Sequence, residues 1–257
     1  MWIIQHLKAI IIIAVVIVIL GACASQPPLL TQTPTQTAAS TLTATVQWFP
    51  STRTSTPIPT TILTPSPEPR SGLGSLLLSD SFVDGAAWSL IGSQNVNAAV
   101  ANNHLTLAVS QSDVLLLTTR NEPLLDDFYA QVTVDLRLCS GADEYGLYVR
   151  VASAADFYRF TLTCNGHAKL DRVFKGVIRE LVPLTFSGAV PSAVPSESIL
   201  AVWVKGEEIR FFINGFFLFE VQDSAIPKGT LGFYVRTREG DAVTVNFSDL
   251  EVFSLQP

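Results

Sequence analysis

Positive charge is scarce in this chain: 16 Lys and Arg stand against 22 Asp and Glu in 257 residues, a formal net charge of −6. Neutralising a phosphate backbone needs clustered Lys and Arg, so nucleic acid is excluded as a partner. The same balance offers no electrostatic attraction to anionic lipid head groups. Only three histidines and three cysteines occur, scattered without ligand spacing, which leaves no zinc motif. Beyond Leu20 no apolar run is long enough to span a bilayer. No stretch combines a helical hydrophobic period with caps, and there is no internal repeat.

What is present is zoned. Lys8 precedes an uninterrupted apolar run from Ile10 to Leu20, and Leu20-Gly21-Ala22-Cys23 then sets small residues directly before a cysteine. Charge, apolar core and small-residue cleavage site in that order make a secretory signal. Cysteine at the next position resembles the lipobox of bacterial lipoproteins. That resemblance implies residues 1–22 as a cleaved signal peptide and lipidation of Cys23. The rest of the chain is then expected in the cell envelope, facing outside the cytoplasm at the cell surface or in the periplasm. Its membrane partner is engaged through the N-terminal lipid, since several acyl chains anchor stably where one does not. The alternative is an uncleaved anchor helix carrying a chance cysteine.

Residues 23–72 read as the lipidated Cys23 followed by a disordered linker. Stretches such as Thr31-Gln32-Thr33-Pro34-Thr35 and Thr64-Pro65-Ser66-Pro67-Glu68-Pro69 cannot bury enough apolar surface to offset chain entropy. Their prolines favour extended geometry, and at about 3 Å per residue the linker reaches on the order of 100 Å. Such a spacer suits the crossing of a cell-wall layer. Gln47-Trp48-Phe49-Pro50 holds its only aromatics.

Residues 73–257 change to short alternating runs separated by turn signals. Val132-Thr133-Val134-Asp135-Leu136-Arg137-Leu138, Leu147-Tyr148-Val149-Arg150-Val151 and Ile209-Arg210-Phe211-Phe212-Ile213 carry the period of two that marks half-buried strands. Asn214-Gly215 is a strong hairpin signal, and Asn102-Asn103 and Lys205-Gly206-Glu207-Glu208 are further turn candidates. The pattern predicts one all-β domain, an antiparallel β-sandwich. With Cys23 lipidated, Cys139 and Cys164 remain as an even pair in an oxidising compartment, which predicts a disulfide. If both close strands of one meander through 145–151, an intervening strand holds them roughly 9–10 Å apart. One or both ends must then curl into the Ser140-Gly141 and Asn165-Gly166 turns to meet bridge geometry.

Five short motifs then follow in order. They are Asp80-Ser81-Phe82-Val83-Asp84 with Trp88, Tyr145-Gly146-Leu147-Tyr148-Val149-Arg150, Asp156-Phe157-Tyr158-Arg159-Phe160, Gly229-Thr230-Leu231-Gly232-Phe233-Tyr234 and Val245-Asn246-Phe247-Ser248-Asp249-Leu250. Together they resemble the concanavalin A-like lectin/glucanase superfamily, and more loosely a 3-keto-disaccharide hydrolase domain. The resemblance implies a jelly roll, with the second and third motifs as paired central strands. It does not bring an activity with it. Family-16 type glucanases need a nucleophile and an acid about 5 Å apart, and no Glu-x-Asp-x-x-Glu strand occurs here. Asp143-Glu144 and Glu207-Glu208 fall at turns, as do His104 and His167, so no catalytic residue is assigned.

Alternation with Leu147, Tyr158, Phe160 and Leu162 inward turns Tyr148, Arg150, Phe157, Arg159 and Thr161 outward. Aromatic faces stack on pyranose C–H groups and polar side chains bond hydroxyls, so Tyr148, Arg150, Phe157 and Arg159 are the candidate ligand residues. A ladder of cross-strand pairs covering the sheet is the other reading. No cofactor is required, although Asp80 and Asp249 could share a structural calcium if the terminal strands pair. The expectation is a non-catalytic carbohydrate-binding or adhesion module whose partner is a glycan or cell-wall polysaccharide. A hydrolase with unrecognised catalytic residues and a structural envelope protein without a ligand stay open beside it.

Overall fold

A computed structural model describes residues 70–256. The signal peptide, Cys23 and nearly all of the linker lie outside the described residues. Every element among the described residues is a strand. β1 (Leu73–Asp80), β2 (Ile91–Gly92), β3 (Val96–Ala101), β4 (His104–Val109) and β5 (Leu115–Thr119) lead to the long β6 (Phe128–Leu138). β7 (Glu144–Ser153), β8 (Asp156–Thr163), β9 (His167–Phe174) and β10 (Val177–Phe186) form an antiparallel run. β11 (Ser196–Lys205), β12 (Glu208–Ile213), β13 (Phe216–Gln222), β14 (Thr230–Arg236) and β15 (Val243–Leu255) complete the chain.

Two antiparallel sheets result. The larger has nine strands in the order β13-β12-β11-β6-β15-β4-β3-β2, with β1 also paired to β15; the smaller runs β10-β9-β8-β7-β14-β5. The hairpins follow their turn chemistry. Asn102 and Asn103, and Asn214 and Gly215, all take positive φ, as a two-residue turn of primed type requires. Val132, Val134 and Leu136 of β6 and Leu147 and Val149 of β7 point into the space between the sheets. There they join a ring stack of Trp88, Phe233 and Phe247 whose centroids are 5.0 and 4.4 Å apart. Leu138 departs from its expected inward place and is exposed, because the register with β15 slips by one residue between Leu136 and Leu138 and reverses the alternation.

The meander expected from β6 through β8 does not form: β6 belongs to the larger sheet and β7 and β8 to the smaller. The Cys139–Cys164 disulfide therefore joins the two sheets at their rim, across a Cα separation of 5.7 Å. Beside it Asp143 is fully buried. Its Oδ1 accepts the backbone N–H groups of Arg238, Glu239 and Gly240 at 2.7, 3.1 and 3.0 Å, and its Oδ2 accepts from Ser140 N and Oγ. Successive N–H groups form a nest for an anion, here filled by the protein's own carboxylate. The β14–β15 connection is thereby pinned to the disulfide rim.

Opening the bridge, by Cys139→Ser with Cys164→Ser, frees a loop of 25 residues. Chemical denaturation is expected to show unfolding free energy reduced by about 3 kcal/mol.

Candidate functional site

The outward face of the smaller sheet is built in rows by strand register. One row runs Glu180, Asp171, Arg159, Tyr148, Gly232 and Thr119 across all six strands. The next holds Lys169, Thr161, Gly146, Tyr234 and Leu117. A third holds Thr163, Glu144, Arg236 and Leu115. Each central tyrosine thus lies opposite a glycine. A Cβ on Gly146 would strike the Phe160 carbonyl oxygen and come within 3.3 Å of the Tyr234 ring, and one on Gly232 would sit 2.7 Å from the Thr118 carbonyl oxygen. The missing side chain at Gly146 leaves room for the Tyr234 ring, and that at Gly232 lets the β5 backbone approach. Phe157, Tyr148 and Tyr234 stack in series with centroids 4.5 and 5.0 Å apart, a geometry worth about 0.5–1.5 kcal/mol per pair.

Alternation therefore places Tyr148, Phe157 and Arg159 on one face, but they are not free in solvent. Tyr148 is 2 %, Arg159 8 % and Phe157 9 % exposed. Arg159 donates from Nη2 and Nε to Asp171 Oδ2 at 2.7 and 3.3 Å, and Lys169 Nζ lies 3.2 Å from the same oxygen. Replacing Arg159 would leave a buried carboxylate short of its partner, an error costing about 3–5 kcal/mol. Loss of stability and loss of binding would be confounded there.

Arg150 does not join the face. Its register slips at a bulge, and positive φ at the residue turns its side chain away. Its guanidinium, 1 % exposed, donates to the carbonyl oxygens of Asp126 and Ile226 and sits 3.8 Å from Asp127 Oδ1. Burial lowers its pKa, while Tyr158, Asp127 and Asp126 act in the opposite direction. It clamps the β5–β6 and β13–β14 connections.

A groove of about 280 Å³ opens on the Tyr148 row. Leu117 and Thr119 form one wall, the Tyr148 and Phe157 rings and Val151 the floor, and Ala152, Ser153 and Ala154 of the β7–β8 turn one end. Apolar faces flanked by a few hydroxyls suit a ligand that has both C–H and O–H surface. Sequence reasoning missed Leu117 and Thr119, since β5 carries no marker of its place beside β14. It also set Glu144 in a turn, whereas Glu144 opens β7 and is buried.

The two buried carboxylates of this face are Glu144 and Asp171. Lys169 Nζ lies between them, 4.0 Å from Glu144 Oε1 and 3.2 Å from Asp171 Oδ2, and Arg238 Nη2 is 3.2 Å from Glu144 Oε1. Cations occupy the space in which a glycosidic oxygen would have to sit between an acid and a nucleophile. His104 and His167 bond within their own turns, to Asn102 O and Asn165 Oδ1.

The terminal strands do pair, with Asp80 opposite Leu250 next to Asp249. Yet the Asp80 carboxylate accepts Phe82 N and Trp88 Nε1 at 2.9 and 3.0 Å and faces Arg120 Nη2 at 3.4 Å. Asp249 is exposed at a bulge. An aspartate already holding two donors and an arginine is a poor calcium ligand, so these residues do not fit the ion, and no group of three His, Cys, Asp or Glu suited to a metal occurs among the described residues. The other outward aromatics, Trp203 and Phe212, lie on the larger sheet's outer face, with Trp203 Nε1 donating to Ser71 O.

By sequence the chain matches no family model and no curated protein. By structure it is similar to the carbohydrate binding module CBM66 from Bacillus subtilis, with TM-score 0.53 and 15% identity over 65% of this chain and 96% of that one. The fold is a jelly-roll β-sandwich. A Bacillus subtilis protein of unknown function with a galectin-like fold matches at TM-score 0.53 and 12% identity, covering 72% of this chain and 99% of that one. The catalytic domain of an endo-1,3-beta-glucanase (laminarinase) from Thermotoga petrophila matches at 0.51 and 9%, covering 72% and 100%. At these identities the likeness is one of fold, which hosts many functions.

Burial raises the pKa of Tyr145, Tyr148, Tyr158 and Tyr234 above the ordinary tyrosine value. The folded state then holds protons that the unfolded chain releases near pH 10, so this stability is complete below about pH 10 and falls as pH rises beyond it. Ultraviolet titration of the folded protein should show these four of the five tyrosines ionising at higher pH than a free tyrosine does. Their ionisation should coincide with loss of near-ultraviolet circular dichroism.

Proposed function

We propose that the jelly roll is a non-catalytic glycan-binding module carried in the cell envelope by a lipid on Cys23. The observation that carries this reading is the Tyr148–Phe157 groove on the outward face of the smaller sheet, closed at one end by the β7–β8 turn. Val151 and the margins of the Tyr148 and Phe157 rings supply an apolar floor for sugar C–H groups, and Thr119 and Ser153 supply hydroxyls beside them. Similarity in fold to a carbohydrate binding module and to an endo-1,3-beta-glucanase is consistent with a polysaccharide ligand. The cations around Glu144 and Asp171 favour binding over hydrolysis, because they hold both carboxylates in ion pairs.

The groove is tested by filling it. Ala154 is exposed on a turn, where substitution changes stability by less than about 0.5 kcal/mol. Ala154→Trp should abolish binding on a glycan array with an unchanged melting temperature, and Tyr148→Ala, which removes a ring packed between Phe157 and Tyr234, should weaken it at least about tenfold together with a lowered melting temperature. Full binding by Ala154→Trp would remove the groove from consideration. The address is tested separately: Cys23→Ala should lose lipid labelling and leave the membrane fraction, whereas retention through residues 1–20 would support the uncleaved helix.

A further inference from the structure

Two polar atoms on the same face lack any partner. Glu144 Oε2 and Arg236 Nε are both buried and unbonded, and their residues stand directly opposite each other on β7 and β14. Opposed side chains of an antiparallel pair start with Cβ atoms about 4.5–5.5 Å apart. The other ends of both groups are engaged. Glu144 Oε1 meets Lys169 and Arg238, and Arg236 Nη2 lies 3.3 Å from Asp113 Oδ1. A carboxylate oxygen left without a donor costs about 1–3 kcal/mol. An unpaired acceptor and an unpaired donor on directly opposed residues are what a single hydroxyl between them can satisfy, since it donates through its proton and accepts through its lone pairs.

Resting on the glycan reading of the groove, we propose that the bound chain continues along the strands to a second subsite, where a neutral sugar hydroxyl donates to Glu144 Oε2 and accepts from Arg236 Nε. Glu144 is four residues from Tyr148 on β7, a separation of about 13 Å. Between them lies the Tyr234 row, with Leu117 exposed beside it. One sugar ring cannot reach from the groove to this pair, so the ligand class is an oligosaccharide. The chain is uncharged here, because every ionic group of the subsite already faces an opposite charge within the protein. Both atoms are closed to solvent in the unliganded protein. The long side chains of Arg238 and Lys169, which converge on Oε1 and are partly exposed, swing aside to admit the hydroxyl.

The experiment uses the full chain in detergent on an array of linear β-1,3- and β-1,4-glucans and β-galactans of two to eight units, each beside a uronic acid or sulfated counterpart. Wild type, Glu144→Gln, Arg236→Gln and Tyr148→Ala are compared, with melting temperatures recorded. The expected result is affinity that rises at least tenfold from the shortest bound oligomer to the longer ones. Both subsite variants should lose that gain while matching wild type on the shortest oligomer, and neutral chains should bind better than charged ones. Equal binding of long oligomers by wild type and both variants overturns the subsite, and so does equal loss on long and short chains or a preference for charged ones. Tyr148→Ala then separates the two readings: if it alone loses binding, the groove stands without the subsite. Absence of binding by wild type to every probe overturns both.

Discussion

β7 is buried on both of its faces, and the architecture around it follows from that constraint. Inward, Tyr145, Leu147 and Val149 fill the space between the sheets. Outward, Glu144 and Tyr148 are enclosed by side chains of β8, β9 and β14. A strand with one wet face can leave its polar side chains to water, but one closed on both sides must find partners for them within the protein, and on β7 only Glu144 Oε2 and the Tyr145 hydroxyl are left without one. Arg159, Asp171 and Lys169 meet that demand as one network, and the bulge at Arg150 meets it by sending a guanidinium to two backbone carbonyls.

The ring stack and the glycine positions are two sides of one arrangement. Tyr148 opposite Gly232 and Tyr234 opposite Gly146 put a large side chain where its neighbour has none. Rings covering cross-strand glycines compensate for the lost packing of those positions. The result is an aromatic cluster held in place by its own packing, which would lower the ordering cost of the binding proposed for this face. The groove lies where this cluster runs out, at the β7–β8 turn, whose small residues leave the volume unfilled.

Much of this was legible in the residues. The period of two in 132–138, 147–151 and 209–213 marked strands, and it assigned Tyr148, Phe157 and Arg159 to one face and Leu147, Tyr158 and Phe160 to the other. The even cysteine pair marked the bridge at 139 and 164. Exposure was not legible. Alternation reports which way a side chain leaves the sheet, while burial depends on how many neighbours from strands distant in sequence lie against it. Asp171 and Lys169, which enclose Arg159, carry no marker in the sequence of a place against it. Arg150 misled because one bulged residue breaks the period locally without a marker in the sequence.

The sequence by itself determined the local events: two-residue turns at Asn102-Asn103 and Asn214-Gly215, the strands between them, and which residues of each strand share a face. These depend on sterics and on a period repeated over a few residues. Only the tertiary structure decided which sheet receives each strand. That choice parted β6 from β7, turned the disulfide into a link between sheets, and gave Asp80 to Phe82, Trp88 and Arg120. It also brought Leu117 and Thr119 against Tyr148 and left Glu144 facing Arg236. Such pairings join residues far apart in the chain, and their energy lies in the match of whole strands, not in any short stretch of residues.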